Sequence, residues 1–221
     1  MTGAGETLVC FALPEEARPF QRESAAARLG PVRVVIHGMG PRNAERAVAP
    51  LLEEWRPARV LTCGFAGGLD PALNHGAVLF ETAEEALAAR LRAAGLRAAR
   101  FHCATRMAVT AAEKASLRAT TGACAVEMES AVIHALCRGG SVPCATLRVI
   151  SDVAGEDLPL DFNALTTPDL RLHAGRLALA IAGAPWKIPA LLRLQRRTAS
   201  AAAVLAASLA RVLPAASAPV T

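Results

Sequence analysis

The sequence predicts an α/β protein in which a central sheet is covered on both faces. Short β-rich runs alternate with Ala/Leu/Glu/Arg segments of helical period along most of the chain. Several β runs are almost continuously apolar, as strands buried on both faces are. Pro14, Pro31, Pro57, Pro71 and Pro143 punctuate the joins, where a helix must stop. In order, Thr7–Ala12 is an apolar strand ending before Pro14, and Val32–His37 is a β-branched strand that starts after Pro31. Arg42–Glu54 has helical spacing and stops before Pro57. Val60–Cys63 and Ala77–Phe80 are short apolar strands, and Ala83–Ala94 returns to the helical pattern. Ala111–Arg118 is a helix, Ala123–Val126 a strand, Ser130–Arg138 a helix, and Cys144–Ile150 a strand that follows Pro143. Leu170–Ala182 and Pro189–Val212 complete the helices.

Composition narrows the function classes. A chain of 221 residues that is 53% hydrophobic buries a sizeable core and is not disordered. With no internal repeat and no interior linker, one domain over residues 1–221 is expected. Aromatics make up 4% and Tyr is absent, so a stacking platform for single-stranded nucleic acid is poorly supplied. The net charge of +5 is dispersed along most of the chain, which speaks against a nucleic-acid partner. No segment reaches the roughly 20 apolar residues of a membrane span. The N-terminus carries Glu6, Glu15 and Glu16 without a basic leader region, unlike a secretory signal. Cys10, Cys63, Cys103, Cys124, Cys137 and Cys144 show no metal-ligand spacing, so neither a metal site nor a disulfide framework is expected. These features imply a reduced, cytoplasmic setting.

The tail differs from the rest. Asp169 is the last acidic residue, yet Arg171, Arg176, Lys187, Arg193, Arg196, Arg197 and Arg211 follow it. The segment at about 187–213 therefore reads as a basic amphipathic helix. It either packs on the sheet or lies peripherally against anionic lipid at the inner membrane.

Four motifs are expected at strand ends, where open α/β sheets place ligands. Phe11-Ala12-Leu13-Pro14-Glu15-Glu16 runs a strand into two carboxylates. His37-Gly38-Met39-Gly40-Pro41-Arg42-Asn43-Ala44 is a glycine turn entering a helix, where backbone N–H groups can approach an anion or a sugar hydroxyl. Cys63-Gly64-Phe65-Ala66-Gly67-Gly68-Leu69 reads as a strand entering a glycine-rich loop. Ala125-Val126-Glu127-Met128-Glu129-Ser130 is followed, one helix later, by Arg148-Val149-Ile150-Ser151-Asp152. Each has a plain alternative. Glu129 or Ser130 would cap a helix, and Ser151 or Asp152 would hold a turn. The incomplete glycine fingerprint argues against a dinucleotide-binding domain. The five histidines show no paired spacing; His37, which opens the glycine turn, stands nearest the chemistry.

These motifs resemble the nucleoside phosphorylase/nucleosidase superfamily that includes the methylthioadenosine/S-adenosylhomocysteine nucleosidases, from about Thr7 to Gly183. The segments Gly38–Ala44, Gly64–Leu73 and Pro189–Thr198 are most similar to its hopanoid-associated branch, whose members are thought to remove adenine from adenosylhopane. The resemblance implies a single-domain three-layer α/β/α fold with a mixed, mostly parallel sheet, and a homo-oligomer. The implied activity is cleavage of the N-ribosidic bond of an adenine nucleoside, small or lipid-linked. By that resemblance Asp152 protonates the leaving base, supported by Ser151 and Arg148. Glu16 activates water, Glu129 grips the ribose hydroxyls, and Met128 lies under the sugar. Glu127 orients a neighbour, and Gly40 belongs to the substrate-binding turn. Breaking the bond leaves an electron-rich purine, so the acid must be held partly protonated.

Three departures bear on mechanism. Thr62 and Phe65 stand where the phosphorylases hold phosphate, which leaves open whether water or inorganic phosphate is the acceptor; Arg42 could partly replace the missing ligand. The segment Glu81–Cys124 is shorter than the family's and lacks its aromatic over the adenine, a place Arg106 could take by cation–π stacking. No cofactor is implied. A methylthioadenosine/S-adenosylhomocysteine-type nucleosidase and a non-catalytic nucleoside-binding relative are the alternatives.

Overall fold

The computed structural model describes residues 5–27 and 29–213. Along the chain run the strands β1 (Thr7–Phe11), β2 (Val32–Ile36), β3 (Arg59–Gly68), β4 (Val78–Thr82), β5 (Arg97–Ala98), β6 (Phe101–Cys103), β7 (Ala125–Glu127) and β8 (Cys144–Asp152). The helices are α1 (Pro14–Ala26), α2 (Pro41–Trp55), α3 (Glu85–Ala93), α4 (Ala111–Thr121), α5 (Ser130–Gly139), α6 (Ala174–Gly183) and α7 (Ile188–Val212). A short 3-10 turn at Pro185–Lys187 precedes α7.

The strand order is β2-β1-β3-β8-β4-β5, with β7 also on β3 and β6 on β7. Strands β2, β1, β3 and β8 are mutually parallel, whereas β4 is antiparallel to β8 and β7 antiparallel to β3. The sheet is thus mixed and mostly parallel, as expected. Side-chain alternation sorts the two faces. In β1, Val9 and Phe11 join Phe20, Leu91, Leu205 and Leu209 under α1, α3 and α7. Leu8 and Cys10 of the same strand join Ala44, Val48 and Ile133 under α2 and α5. Three layers result.

Several expectations are corrected. The segment Gly64–Gly68 is not a loop; it is the second half of β3, which runs on beside β8. Helix α1 was not expected from the sequence, because its two prolines and its polar surface mask a stripe of only Glu16, Ala17 and Phe20. Strands β5 and β6, two and three residues long, are too short to show a period. The helix expected from Leu170 starts at Ala174, because Leu170 adopts φ +56° in a turn. The strand expected at Ala123–Val126 is β7, and it runs against β3. The reversed strand brings Glu127 and Glu129 back beside Gly64–Ala66, just beyond the carboxyl ends of β1 and β2, where Gly40 N meets Glu129.

Helix α7 divides by burial. From Ala201 onward, Ala201, Ala202, Leu205, Ala206, Leu209 and Val212 pack on the core, while no residue from Thr167 to Ser200 is buried. Among the described residues no single helix is long and apolar enough to cross a membrane.

Candidate active site

The site lies where one edge of β3 changes partner. Strand β1 pairs with Arg59–Cys63 and β7 with Gly67–Gly68, so Gly64–Ala66 have no strand partner on that edge. A break of this kind is where α/β sheets receive ligands. Glu16 fills it. Pro14 opens α1 at its first position, and Glu16, two residues on, reaches back so that its Oε2 accepts from Ala12 N at 3.0 Å and Leu13 N at 2.8 Å. Its Oε1 accepts from Phe65 N at 2.7 Å. A methyl group on Gly64 would meet Glu16 Oε1 at 2.6 Å and Arg148 Nη1 at 2.9 Å, so this position excludes any side chain. Burial pushes the Glu16 carboxyl up to about 7, against the opposing pull of the Phe65 N–H, Arg148 and the Leu13 N–H.

Arg148, fully buried in β8, ties the next two acids together. Its Nη2 donates to Glu127 and lies 3.4 Å from both Glu129 Oε2 and Thr62 Oγ1. Its Nε has no protein partner among the described residues, which leaves a donor for water or ligand. Glu127 also accepts from Glu129 N at 3.0 Å, Ser130 N at 2.8 Å and Ser130 Oγ at 2.6 Å. Burial would raise Glu127, but Arg148 and the Ser130 hydroxyl overcome it and hold the carboxyl at about 2. Glu129 is raised, by burial first and by the Glu127 charge, with Arg148 opposing. Its Oε1 accepts from Gly40 N at 2.8 Å, in the β2–α2 turn where Gly40 sits at φ +86°. Glu129 makes no side-chain cap to α5, which removes the plain alternative for it. Met128 between them is buried.

Asp152 closes β8. It accepts from Ser151 Oγ at 2.7 Å and pairs with Lys114 Nζ at 2.5 Å. Neither residue holds a turn. Lys114 is fully buried and also donates to Val153 O and Glu156 O, each at 2.9 Å. The sequence reading missed it. The available signal was the Thr110/Glu113 capping box, which starts α4 and puts Lys114 three residues before Leu117, on the helix's inward stripe. A methyl on Gly67 would lie 3.2 Å from Asp152 Oδ2. Glu16 and Asp152 thus meet the same strand three residues apart, at Gly64 and Gly67. Beside Asp152 opens a cavity of about 160 Å³, walled by Glu156, Leu158, Pro159 and, from α7, Ala190, Leu194 and Arg197. A larger hollow of about 380 Å³ around Leu73, Leu79 and Arg97 holds none of the buried carboxylates.

Two expected contributors stand apart. Arg106 is paired with Glu113 at 2.9 Å and does not wall the Asp152 cavity. The half-buried Phe65 ring packs against the core, and its N–H serves the site through Glu16. His37 faces its own neighbour: Nδ1 donates to Gly38 O at 2.6 Å, and burial lowers the ring to about 4, so it is neutral. All six cysteines are free.

Fold and comparisons together define an enzyme that cleaves a nucleoside N-glycosidic bond. The model of the phosphorylase superfamily matches residues 14–84 and 80–182, and the chain belongs to that superfamily. It is 29% identical over 202 residues to the 5'-methylthioadenosine/S-adenosylhomocysteine nucleosidase of Geobacillus thermodenitrificans, covering 72% of this chain and 83% of the relative. The nucleosidase of Glaesserella parasuis is 28% identical over 166 residues, covering 60% of this chain and 72% of its own. In fold it is similar to futalosine hydrolase of Helicobacter pylori, with TM-score 0.69, 18% identity, and 94% and 97% of the two chains covered. It is also similar to the 5'-methylthioadenosine/S-adenosylhomocysteine nucleosidase of that organism, with TM-score 0.70, 17% identity and coverage of 95% and 98%.

Proposed function

We propose that the chain releases adenine from an adenine nucleoside bearing an apolar 5' substituent, with water as the acceptor. The observation that carries the choice of water is Glu16. Its carboxyl takes up the Phe65, Ala12 and Leu13 N–H groups at the unpaired edge of β3. A phosphate would need such donors and would meet a carboxylate there. A base poised near neutrality suits water activation.

The base sits toward Asp152 and the ribose over Met128, its hydroxyls on Glu129. Asp152 gives its proton to N7 while the C1'–N9 bond breaks, and its carboxylate is then stabilised by the Lys114 ammonium and the Ser151 hydroxyl. Glu16 takes a proton from water, whose oxygen bonds to C1' of the ribosyl cation. Arg148 holds Glu127 and Glu129 in place, and Glu127 anchors the start of α5. Glu16 and Asp152, three residues apart along β3, suit a water activator and a base proton donor at the two ends of one nucleoside. The apolar 5' group is supported by Leu170, which lies over Gly40, and by the unburied apolar segment that follows it. An adenosylhopane-like nucleoside fits that description.

The test is adenine release, read by chromatography, from adenosine, 5'-methylthioadenosine and a 5'-alkyl adenosine, each with and without phosphate, with Asp152→Asn as the blank. Release without phosphate, fastest for the alkyl nucleoside, is expected. Strict phosphate dependence would make the chain a phosphorylase. No release from any substrate would leave a nucleoside-binding relative.

A further inference from the structure

From Thr167 to Ser200 the chain forms α6, the 3-10 turn and the first half of α7, and no side chain in it is buried. The segment is nevertheless apolar. Of the seven large apolar side chains exposed among the described residues, five lie in it: Leu172, Leu179, Trp186, Ile188 and Leu192. Leu179 and Trp186 are 75% and 73% exposed. Exposure of large apolar side chains concentrated in one segment points to an interaction surface. Around it stand Arg171, Lys187, Arg193 and Arg196, with no acidic residue after Asp169. None of these four forms an ion pair among the described residues.

We infer that this segment docks on an anionic phospholipid bilayer. The charge pattern chooses the occupant. A second copy of the chain, meeting the patch by a two-fold axis, would set the unpaired Arg171, Lys187, Arg193 and Arg196 of one copy against those of the other. An anionic leaflet attracts them, and a Trp beside a Lys at a helix bend is suited to the headgroup level. α6 and α7 are bent by 102° at the 3-10 turn, and α6 buries none of its residues in the fold.

The segment is continuous with the candidate site. Asn43 Nδ2 donates to Asp169 O at 2.8 Å, which fixes the start of the segment beside the Gly40 turn that holds Glu129. At the other end, Ala190, Leu194 and Arg197 wall the cavity beside Asp152. Docking would bring a lipid-anchored nucleoside to the ribose side of the site directly from the bilayer. That part rests on the proposed function; the membrane contact does not.

The test uses the full chain and vesicles of phosphatidylcholine with or without phosphatidylglycerol. Co-sedimentation is expected to be about tenfold or more stronger on the anionic vesicles and to fall in high salt. In a Trp55→Phe background the Trp186 emission is expected to shift to the blue on binding. Lys187→Glu/Arg196→Glu is expected to abolish sedimentation while leaving adenine release from soluble 5'-methylthioadenosine unchanged. Equal binding to neutral and anionic vesicles, or none to either, would overturn the inference. So would a dimer that dissociates on Leu179→Glu, which would make a second copy the occupant. Vesicle binding without adenine release from any nucleoside would remove the proposed function and leave the docking surface standing.

Discussion

Glu16 and Asp152 are both buried acids, but their surroundings give them different work. Glu16 is surrounded by N–H donors, and burial brings its carboxyl to about 7. If it activates water it must be ionised, so kcat/KM is expected to be present above that value and to fall as pH drops through about 7. A pH–rate profile for 5'-methylthioadenosine checks this, and Glu16→Gln should remove the limb together with most of the rate. Asp152 is held by Lys114, a neighbour the reading of the sequence missed. If Lys114 acts by stabilising the carboxylate left after proton transfer, Lys114→Met should slow adenine release by about 100-fold or more, within the range of a general acid's contribution. A riboside with a nitrophenolate leaving group needs no proton, so its cleavage should be nearly unchanged. Equal loss on both substrates would show that Lys114 only braces the Val153–Glu156 segment. Glu16, Glu129 and Asp152 were legible as residues because acids after apolar runs are conspicuous. Lys114 was not, because its meaning lies in a contact across the fold.

At the scale of elements, the turn between β2 and α2 and the two halves of α7 carry the argument. Gly40 needs its φ of +86°, and a methyl there would strike Leu170 Cδ1 at 2.3 Å. Gly40→Ala is therefore expected to displace the N–H that Glu129 accepts and to raise KM more than it lowers kcat, as steady-state kinetics would show. In α7, Leu205 is fully buried and Leu179 in α6 is not. Leu205→Ala should cost about 2–4 kcal/mol in urea unfolding, whereas Leu179→Ala should stay within about 0.5 kcal/mol. Both helices were legible from their apolar period. That one half is core and the other surface was not, because the same period serves either partner.

For the whole molecule, two buried groups set opposing dependences of stability on pH. Glu16 is raised to about 7 in the fold, so the stability it contributes is lost as pH rises from 4.5 through about 7. His37 is lowered to about 4, so folding loses stability as pH falls from 6.5 through about 4. Between 4.5 and 6.5 they oppose each other. Urea unfolding of the wild type is expected to be nearly flat there. His37→Gln should unmask a decline with rising pH of up to about 3 kcal/mol, and Glu16→Gln a decline with falling pH of similar size. Below 4.5 both forms should lose the contribution of Glu127, whose carboxyl is held at about 2 by Arg148 and Ser130.

The amino-acid sequence by itself determined most of the alternation of strands and helices and the acids that reach the site. Those properties follow from local periodicity and from residues next to strand ends. Only the tertiary structure decided that β7 runs against β3, that Gly64–Gly68 is strand, and that Arg148 and Lys114 bind the carboxylates. Strand direction and buried ion pairing join residues far apart in the chain: Glu16 meets Phe65, Gly40 meets Glu129, and Lys114 meets Asp152. No local window holds both partners of such a contact, so its energy becomes visible only once the sheet has closed around it.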